Sequence, residues 1–137
     1  MSKILLVEPV EDRRLALLNQ LRQVNFDVKV AVTHEDALIL ERNHGPFDFY
    51  VIADRFPNTL YQWSDKRALM LAQQVHDARE VPYNRMAVMS DSAEMLYRTR
   101  QLGIPNTYRK TPTPAHSPIE REISYLADDI TRILTKV

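Results

Sequence analysis

The chain has no cysteine and only two glycines, Gly45 and Gly103, among its 137 residues. The absence of cysteine excludes disulfides, thiolate metal sites and a cysteine nucleophile. A P-loop or a dinucleotide-binding loop needs clustered glycines so that backbone amides can approach phosphates, and these two glycines lie far apart. We therefore expect neither a disulfide-stabilised fold nor a nucleotide-dependent enzyme of the usual kinds.

Net charge and long apolar runs are also lacking. Lys and Arg total 18, as do Asp and Glu, so the formal net charge is zero and gives no bulk attraction to nucleic acid or to a membrane. No apolar run reaches transmembrane length, and the start MSKILLVE is too short, and becomes acidic too early, for a signal peptide. We expect a cytoplasmic protein that contacts neither nucleic acid nor membrane directly.

The chain does show an alternation of strand and helix patterns. The clearest strand is the continuous apolar run from Phe49 to Ala53, which is typical of a strand buried on both faces of a parallel sheet. Five strands alternating with five helices predict one domain over residues 1–137, a doubly wound (βα)5 sandwich of three layers with a parallel five-stranded sheet. The other four strands are expected at Lys3–Val7, Phe26–Val32, Met86–Met89 and Asn106–Tyr108.

Several helix boundaries are marked in the sequence. Thr33 followed by Asp36 predicts the start of the second helix, and Gly103 predicts the end of the fourth. For the last helix, Ser117-Pro118-Ile119-Glu120 combines an N-cap serine, a proline at the first position and a glutamate at the third. That helix would place one apolar stripe on a single face, made of Ile119, Ile123, Leu126, Ile130 and Ile133.

Motifs in this order resemble the receiver domains of bacterial two-component response regulators. They are KILLVE at the start, FYVIAD with a proline just after, VMS at the end of the fourth strand, and a lysine seven residues after Gly103. The resemblance covers the whole chain and implies the flavodoxin-like receiver topology. It also implies an aspartate after the third strand that accepts a phosphoryl group, an acidic pair after the first strand that binds Mg²⁺, and a Ser or Thr and a Lys that contact the phosphoryl oxygens.

The acidic pair is incomplete here, since it reads Glu8-Pro9. Transfer of a phosphoryl group to a carboxylate brings negative charges together, so a divalent ion and a lysine must neutralise them. Mg²⁺ in proteins is held by only one or two carboxylates with phosphate and water, so the loss of one is serious. We expect no metal and no cofactor, with Mg²⁺ on Glu8 and Asp54 only if the domain is a working receiver.

The acceptor position has two readings. Counting forward from Asp48, or back from Pro57, places Ala53 at the acceptor site, whereas matching the apolar run directly makes Asp54 the acceptor. Side chains alternate along a strand, so the two cannot both point into one pocket. Pro9 already deprives the pocket of one Mg²⁺-binding carboxylate, and a pocket that has lost this group has less need of an acceptor aspartate. The proline therefore favours Ala53 as the residue at the acceptor position.

The remaining pocket positions are closer to the family pattern. Ser90 fits the hydroxyl position, although the next residue, Asp91, would oppose an incoming phosphoryl group. Lys110 fits the lysine position when counted from Gly103, while counting from Pro112 would place Thr111 there. The sequence therefore predicts a degenerate phosphoacceptor pocket formed by Glu8, Pro9, Ala53, Asp54, Ser90 and Lys110.

The leading functional hypothesis is a signal-transduction pseudo-receiver, not an enzyme, that acts by protein–protein interaction without Mg²⁺-dependent phosphorylation. One alternative is a working receiver phosphorylated on Asp54, and another is a flavodoxin-like binder of a small molecule. The resemblance implies a sensor kinase or an output domain as partner, and a homodimer through the fourth and fifth helices. Candidate contact residues are Tyr61 and Trp63 in a long loop, Arg98 and Arg100 on the fourth helix, and Arg121, Asp128 and Arg132 on the fifth.

Overall fold

The computed structural model describes residues 1–57, 63–64, 67–110 and 121–135. Strands and helices alternate along these residues. The strands are β1 (Lys3–Val7), β2 (Asp27–Ala31), β3 (Phe49–Ala53), β4 (Phe56–Pro57), β5 (Trp63–Ser64), β6 (Met86–Met89), β7 (Asn106–Arg109) and β8 (Arg121–Glu122). The helices are α1 (Glu11–Gln23), α2 (His34–His44), α3 (Arg67–Arg79), α4 (Ala93–Leu102) and α5 (Leu126–Thr135).

One parallel sheet organises the domain, with strand order β2-β1-β3-β6-β7-β8. The five predicted strands and the doubly wound topology are confirmed, and β8 adds a sixth, two-residue strand beside β7. The strand order reverses at β1, because β2 lies on one side of it and β3 on the other. Ligand crevices in open α/β sheets form outside the carboxyl ends of strands at such a reversal.

The central strand β3 explains the continuous apolar run, because helices cover both of its faces. Phe49, Val51 and Ala53 point into one core layer, while Tyr50 and Ile52 point into the other. The first layer contains Leu17 and Leu21 of α1 with Leu126 and Ile130 of α5, and the second contains Ala37 of α2, Leu71 of α3 and Met95 of α4.

The predicted boundaries of α2 and α4 are confirmed. The Thr33 hydroxyl accepts a hydrogen bond from the Asp36 amide at 3.0 Å, and Gly103 ends α4 with a φ of 118°. The cap of α4 is Ser92, whose hydroxyl accepts from the Met95 amide at 3.2 Å. These caps fix where α2 and α4 leave the carboxyl edge of the sheet.

Two predictions of local structure are wrong. The last helix begins at Leu126, because residues 121–125 form β8 and a 3-10 turn; the Ser117–Glu120 start signal lies outside the described residues. Arg121 is therefore on a strand and not on the last helix. The stretch from Pro57 to Ser64, predicted as a long loop, begins and ends in the two-residue strands β4 and β5, which pair antiparallel; residues 58–62, including Tyr61, lie outside the described residues.

In the described part of the chain, no helix is both long enough and apolar enough to cross a membrane.

A buried carboxyl group ties α2 to the far end of β3. The Tyr50 hydroxyl donates to Oε2 of Glu41 at 2.5 Å, and the Phe47 amide donates to that hydroxyl at 2.9 Å. Arg79 donates to the Glu41 carbonyl at 3.0 Å, and its Nε lies 3.5 Å from Oε1. Burial raises the pKa of Glu41 above its usual 4.5, against the opposing effects of the Tyr50 hydrogen bond and the Arg79 charge.

The raised pKa of Glu41 predicts a pH-dependent stability. Between pH 4.5 and the pKa of the folded state, the native protein holds this proton and the unfolded chain does not. Stability from this group is thus fully present below pH 4.5 and is lost as pH rises, by at most about 1.4 kcal/mol per pH unit. Urea denaturation from pH 4 to 8 should show a shallower decline for Glu41→Gln than for wild type. The exposed Glu35→Gln on the same helix is the control, and equal slopes in all three proteins would contradict the assignment.

Candidate functional site

Four polar side chains meet at the carboxyl edge of the sheet. Glu8 follows β1, Asp54 follows β3, Ser90 follows β6 and Lys110 follows β7. Because these strands are parallel neighbours, their last residues emerge side by side. The resemblance singled out the same four strand ends, and the fold brings them together.

At this edge, the parallel hydrogen bonding of the sheet continues for one residue beyond the ends of β1, β3 and β6. The Asp54 amide donates to the Met89 carbonyl at 2.9 Å, and the Ser90 amide donates to the Tyr108 carbonyl at 2.9 Å. The Glu8 amide donates to the Ala31 carbonyl of β2 at 3.1 Å. The backbone of the pocket is therefore as constrained as the sheet itself.

Both carboxylate oxygens of Asp54 are hydrogen-bonded. The Ser90 hydroxyl donates to Oδ2 at 2.8 Å, and the Lys110 ammonium donates to Oδ1. The Ser92 amide donates to the Ser90 hydroxyl oxygen at 2.9 Å, which leaves the hydroxyl proton for Asp54. The Asp54 and Lys110 side chains are only 12% and 13% exposed, so water screens their attraction little.

The geometry corrects the reading that placed Ala53 in the pocket. Ala53 is the last residue of β3 and is fully buried in the core layer shared by α1 and α5. Asp54 is the residue whose side chain reaches Ser90 and Lys110. It is also not a plain solvated pair with Arg55, because Asp54 is buried and Arg55 is exposed.

The Glu8 side chain is completely buried and forms an ion pair with an arginine of the same chain. Arg13, on the first turn of α1, places Nη1 at 3.1 Å from Oε1 of Glu8. Oε2 has no hydrogen-bond partner among the described residues. Burial raises the pKa of Glu8, while the Arg13 hydrogen bond and charge, followed by the Lys110 charge, oppose that rise.

The arginines on α1 are the part of the site that the sequence reasoning missed. Arg14 Nη1 donates to the carbonyls of Glu8 and Pro9, at 3.2 Å each, and so fixes the turn that leads from β1 into α1. Both arginines lie five or six residues beyond Glu8. An arginine pair in the first turn of the helix after a buried acidic strand end is the signal that could have revealed them.

The residues present do not fit a Mg²⁺ ion. Pro9 offers no carboxylate, and three of the four carboxylate oxygens of Glu8 and Asp54 already contact Arg13, Lys110 or Ser90. Across the described ranges, no group of three or more His, Asp or Glu residues has the arrangement of a metal site. Mg²⁺ requires near-octahedral oxygen coordination and gives up its water reluctantly, so one remaining oxygen is a poor site.

A crevice of about 540 Å³ lies beside Asp54, between α3 and α4. Its charged lining residues are Asp54, Arg55, Glu94 and Arg98. Asp54 is thus reachable from solvent even though Lys110 and Ser90 cover its oxygens. Apolar contacts in the crevice come from Leu69, Met70 and Met95.

The candidate contact residues that can be described lie on or beside α4 and α5. Arg98 pairs with Glu94 at 2.7 Å, and Arg132 pairs with Asp129 at 3.1 Å, each within its own helix. Arg100 instead donates to the Thr107 hydroxyl at 3.1 Å and is tied to β7. Asp128 is exposed on α5, whereas Tyr61 lies outside the described residues and Trp63 is placed only by its backbone in β5.

Comparison with known proteins gives structural relatives only. No protein-family model and no curated protein matches the chain. A Francisella response regulator receiver domain superposes with a TM-score of 0.73 at 17% identity, covering 98% of this chain and 97% of that one. The non-phosphorylated HemR receiver domain of Leptospira biflexa gives 0.70 at 22% identity, covering 100% and 97%, and a Clostridium difficile two-component response regulator gives 0.71 at 15%, covering 99% and 98%.

The chain has the receiver-domain fold. The resemblance drawn from the motifs is thereby confirmed at the level of fold, across nearly the whole chain.

The Asp54–Lys110 pair predicts a specific pattern of destabilisation. Lys110→Met leaves a buried carboxylate with Ser90 alone and should lower the free energy of unfolding by about 3 kcal/mol, because an uncompensated buried charge is costly. Asp54→Asn in the same chain removes that charge and should recover most of the loss. Urea denaturation of both variants, with Lys29→Met on β2 as the remote lysine control, measures this. Equal losses in the single and double variants would show that the pair is not coupled.

Proposed function

We propose that the protein is a receiver-like signalling module that acts through protein–protein contacts, without Mg²⁺-dependent phosphorylation. The observation that carries the proposal is the closed charge balance of the pocket. Glu8 is paired with Arg13 and Asp54 with Lys110, so two carboxylates meet two cations that belong to the chain. No second acidic side chain is available at Pro9.

The charge balance opposes phosphoryl transfer. A phosphoryl group adds about two negative charges at neutral pH and needs cations to receive them. Lys110 already holds Asp54, and the place next to Glu8 is taken by a guanidinium. A donor would have to displace Lys110 and Ser90 from Asp54 without help from a divalent ion.

A second candidate function, phosphorylation on Asp54, has one specific observation in its favour. Asp54 lies at the end of β3 in contact with a hydroxyl and an ammonium, the groups that in receivers contact phosphoryl oxygens. The crevice beside Asp54 would admit a small donor. This candidate requires transfer with a weakened or absent metal site.

The partner under the leading proposal is another protein, a sensor kinase or an output domain. Support comes from the exposed side of α4 and α5, where Arg98 and Arg132 are each 60% exposed and form ion pairs within their own helices. Tyr97 on α4 is 55% exposed, and Tyr125 just before α5 is 49% exposed. Exposed aromatic and arginine side chains are enriched at protein interfaces, and mixed charge gives salt-sensitive specificity.

The proposal predicts no covalent phosphorylation. Incubation with Mg²⁺ and acetyl phosphate or a similar small donor should leave the intact mass unchanged, because Lys110 and Arg13 are already paired with Asp54 and Glu8 and cannot also neutralise the transferred group. Beryllofluoride should likewise leave the oligomeric state unchanged. An adduct of one phosphoryl group in wild type that is absent from Asp54→Asn would replace this proposal by the second candidate. An adduct that persists in Asp54→Asn would assign it to another residue and leave the proposal standing.

Homodimerisation through α4 and α5 makes a separate prediction. Light scattering at high protein concentration should show a dimer for wild type and a monomer for the double charge reversal Arg98→Glu/Asp128→Lys, since both residues are exposed on these helices. The reversal Arg42→Glu/Asp77→Lys on α2 and α3 is the matched control and should stay dimeric. A monomeric wild type would contradict the dimer, and the β4–β5 pair that contains Trp63 would then be the better candidate for a partner contact.

A further inference from the structure

We propose that the Arg13 guanidinium is the resident cation of the pocket and takes the charge-balancing place that a divalent ion would otherwise occupy. The inference rests on the proposed metal-independent function and names the residue responsible for it. It also goes further than the absence of a carboxylate at position 9. The pocket resists divalent ions because another cation already occupies the place.

The first support is the geometry of the Glu8–Arg13 contact. Glu8 has no exposed surface, and Arg13 is 29% exposed, so the guanidinium closes the pocket between the buried carboxylate and solvent. The contact of 3.1 Å joins Nη1 to Oε1. A charged group is rarely buried unless it is paired, and Arg13 supplies the ion pair for Glu8.

The second support is that the turn is built to hold arginines at this place. Arg14 donates to the Glu8 and Pro9 carbonyls, so two of the three residues that lead from β1 into α1 are tied to the first turn of that helix. Pro9 has no amide hydrogen and cannot itself donate to a neighbouring carboxylate. The planar guanidinium, which stays charged at all accessible pH values, suits a fixed pairing better than an ammonium would.

The third support is the oxygen that remains. Oε2 of Glu8 is buried and has no hydrogen-bond partner among the described residues. A divalent ion bound there would lie beside the Arg13 guanidinium and be repelled by it. Removal of Arg13 together with a restored carboxylate at position 9 should therefore convert this oxygen into part of a metal site.

The test is a Mg²⁺ titration by calorimetry of wild type, Pro9→Asp, Arg13→Met and the double variant Pro9→Asp/Arg13→Met. We expect saturable binding in the millimolar range for the double variant, at least tenfold tighter than for Pro9→Asp, and no saturable binding for wild type or Arg13→Met. Mg²⁺ should also raise the Tm of the double variant alone. Arg22→Met in the Pro9→Asp background, which removes an exposed arginine from the end of α1, should not improve affinity.

Three results would overturn the inference. They are affinities of Pro9→Asp and the double variant within twofold of each other, no binding by a folded double variant, and saturable binding by wild type. Phosphorylation of wild-type Asp54 would instead contradict the proposed function, so the two failures are distinguishable.

A thermal measurement covers the case in which the double variant does not fold. Arg13→Met should lower Tm by several degrees more than Arg22→Met, and the loss should disappear in a Glu8→Gln background, where no buried charge needs a partner. Equal Tm losses with and without Glu8 would show that Arg13 acts by packing alone and would refute its role as the pocket's cation.

Discussion

The structure depends on placing two carboxylates where the strands of a parallel sheet end. The sheet fixes the backbone there through the Glu8, Asp54 and Ser90 amides, so the side chains cannot move apart. Buried carboxylates without cations are costly, and the chain provides a cation for each of them. Lys110 follows β7 and Arg13 lies on α1, so the two ion pairs tie β7 and the first helix to the strands at the centre of the sheet.

The same problem has a different solution at the other end of β3. Glu41 is also buried, but its cation, Arg79, stands 3.5 Å from the carboxylate and is one-third exposed, and the strong contact comes from the Tyr50 hydroxyl. A hydroxyl satisfies either protonation state, whereas a guanidinium at 3.1 Å favours the ionised one. Burial raises the pKa of both Glu41 and Glu8, so the protonation of each contributes to the change of stability with pH.

The sheet could be predicted because its signals are local. The apolar run of β3 requires two covered faces, and the Thr33 and Gly103 boundaries follow from hydrogen bonding within one turn. The choice between Ala53 and Asp54 could not be made by counting residues from Asp48 or Pro57. With Asp54 at the acceptor position, the segment from the acceptor to Pro57 is one residue shorter than in the receiver pattern. The choice is settled by long-range contacts of the side chain, from Ser90 and Lys110 to the Asp54 carboxylate, which sequence spacing does not encode.

The role of Arg13 and the start of the last helix escaped prediction for related reasons. The Ser117–Glu120 pattern was a strong local start signal, yet pairing of residues 121 and 122 with β7 excludes a helix over them. Arg13 carries no motif, and its role appears only when α1 is packed beside Glu8.

A cation that is part of the chain differs from a bound ion in one physical respect, because it cannot be lost to chelation or gained by a rise in ion concentration. Under the role proposed for Arg13, the charge state of this pocket would be set by folding and not by metal supply. Arg13 on the first turn of α1 is 29% exposed and Lys110 after β7 is 13% exposed, so contacts at these two places can reach the cations of the pocket. The start of α4 is a third such place, because the Ser92 amide holds the Ser90 hydroxyl that donates to Asp54, and so a partner bound on α4 also contacts an element that is joined to the pocket.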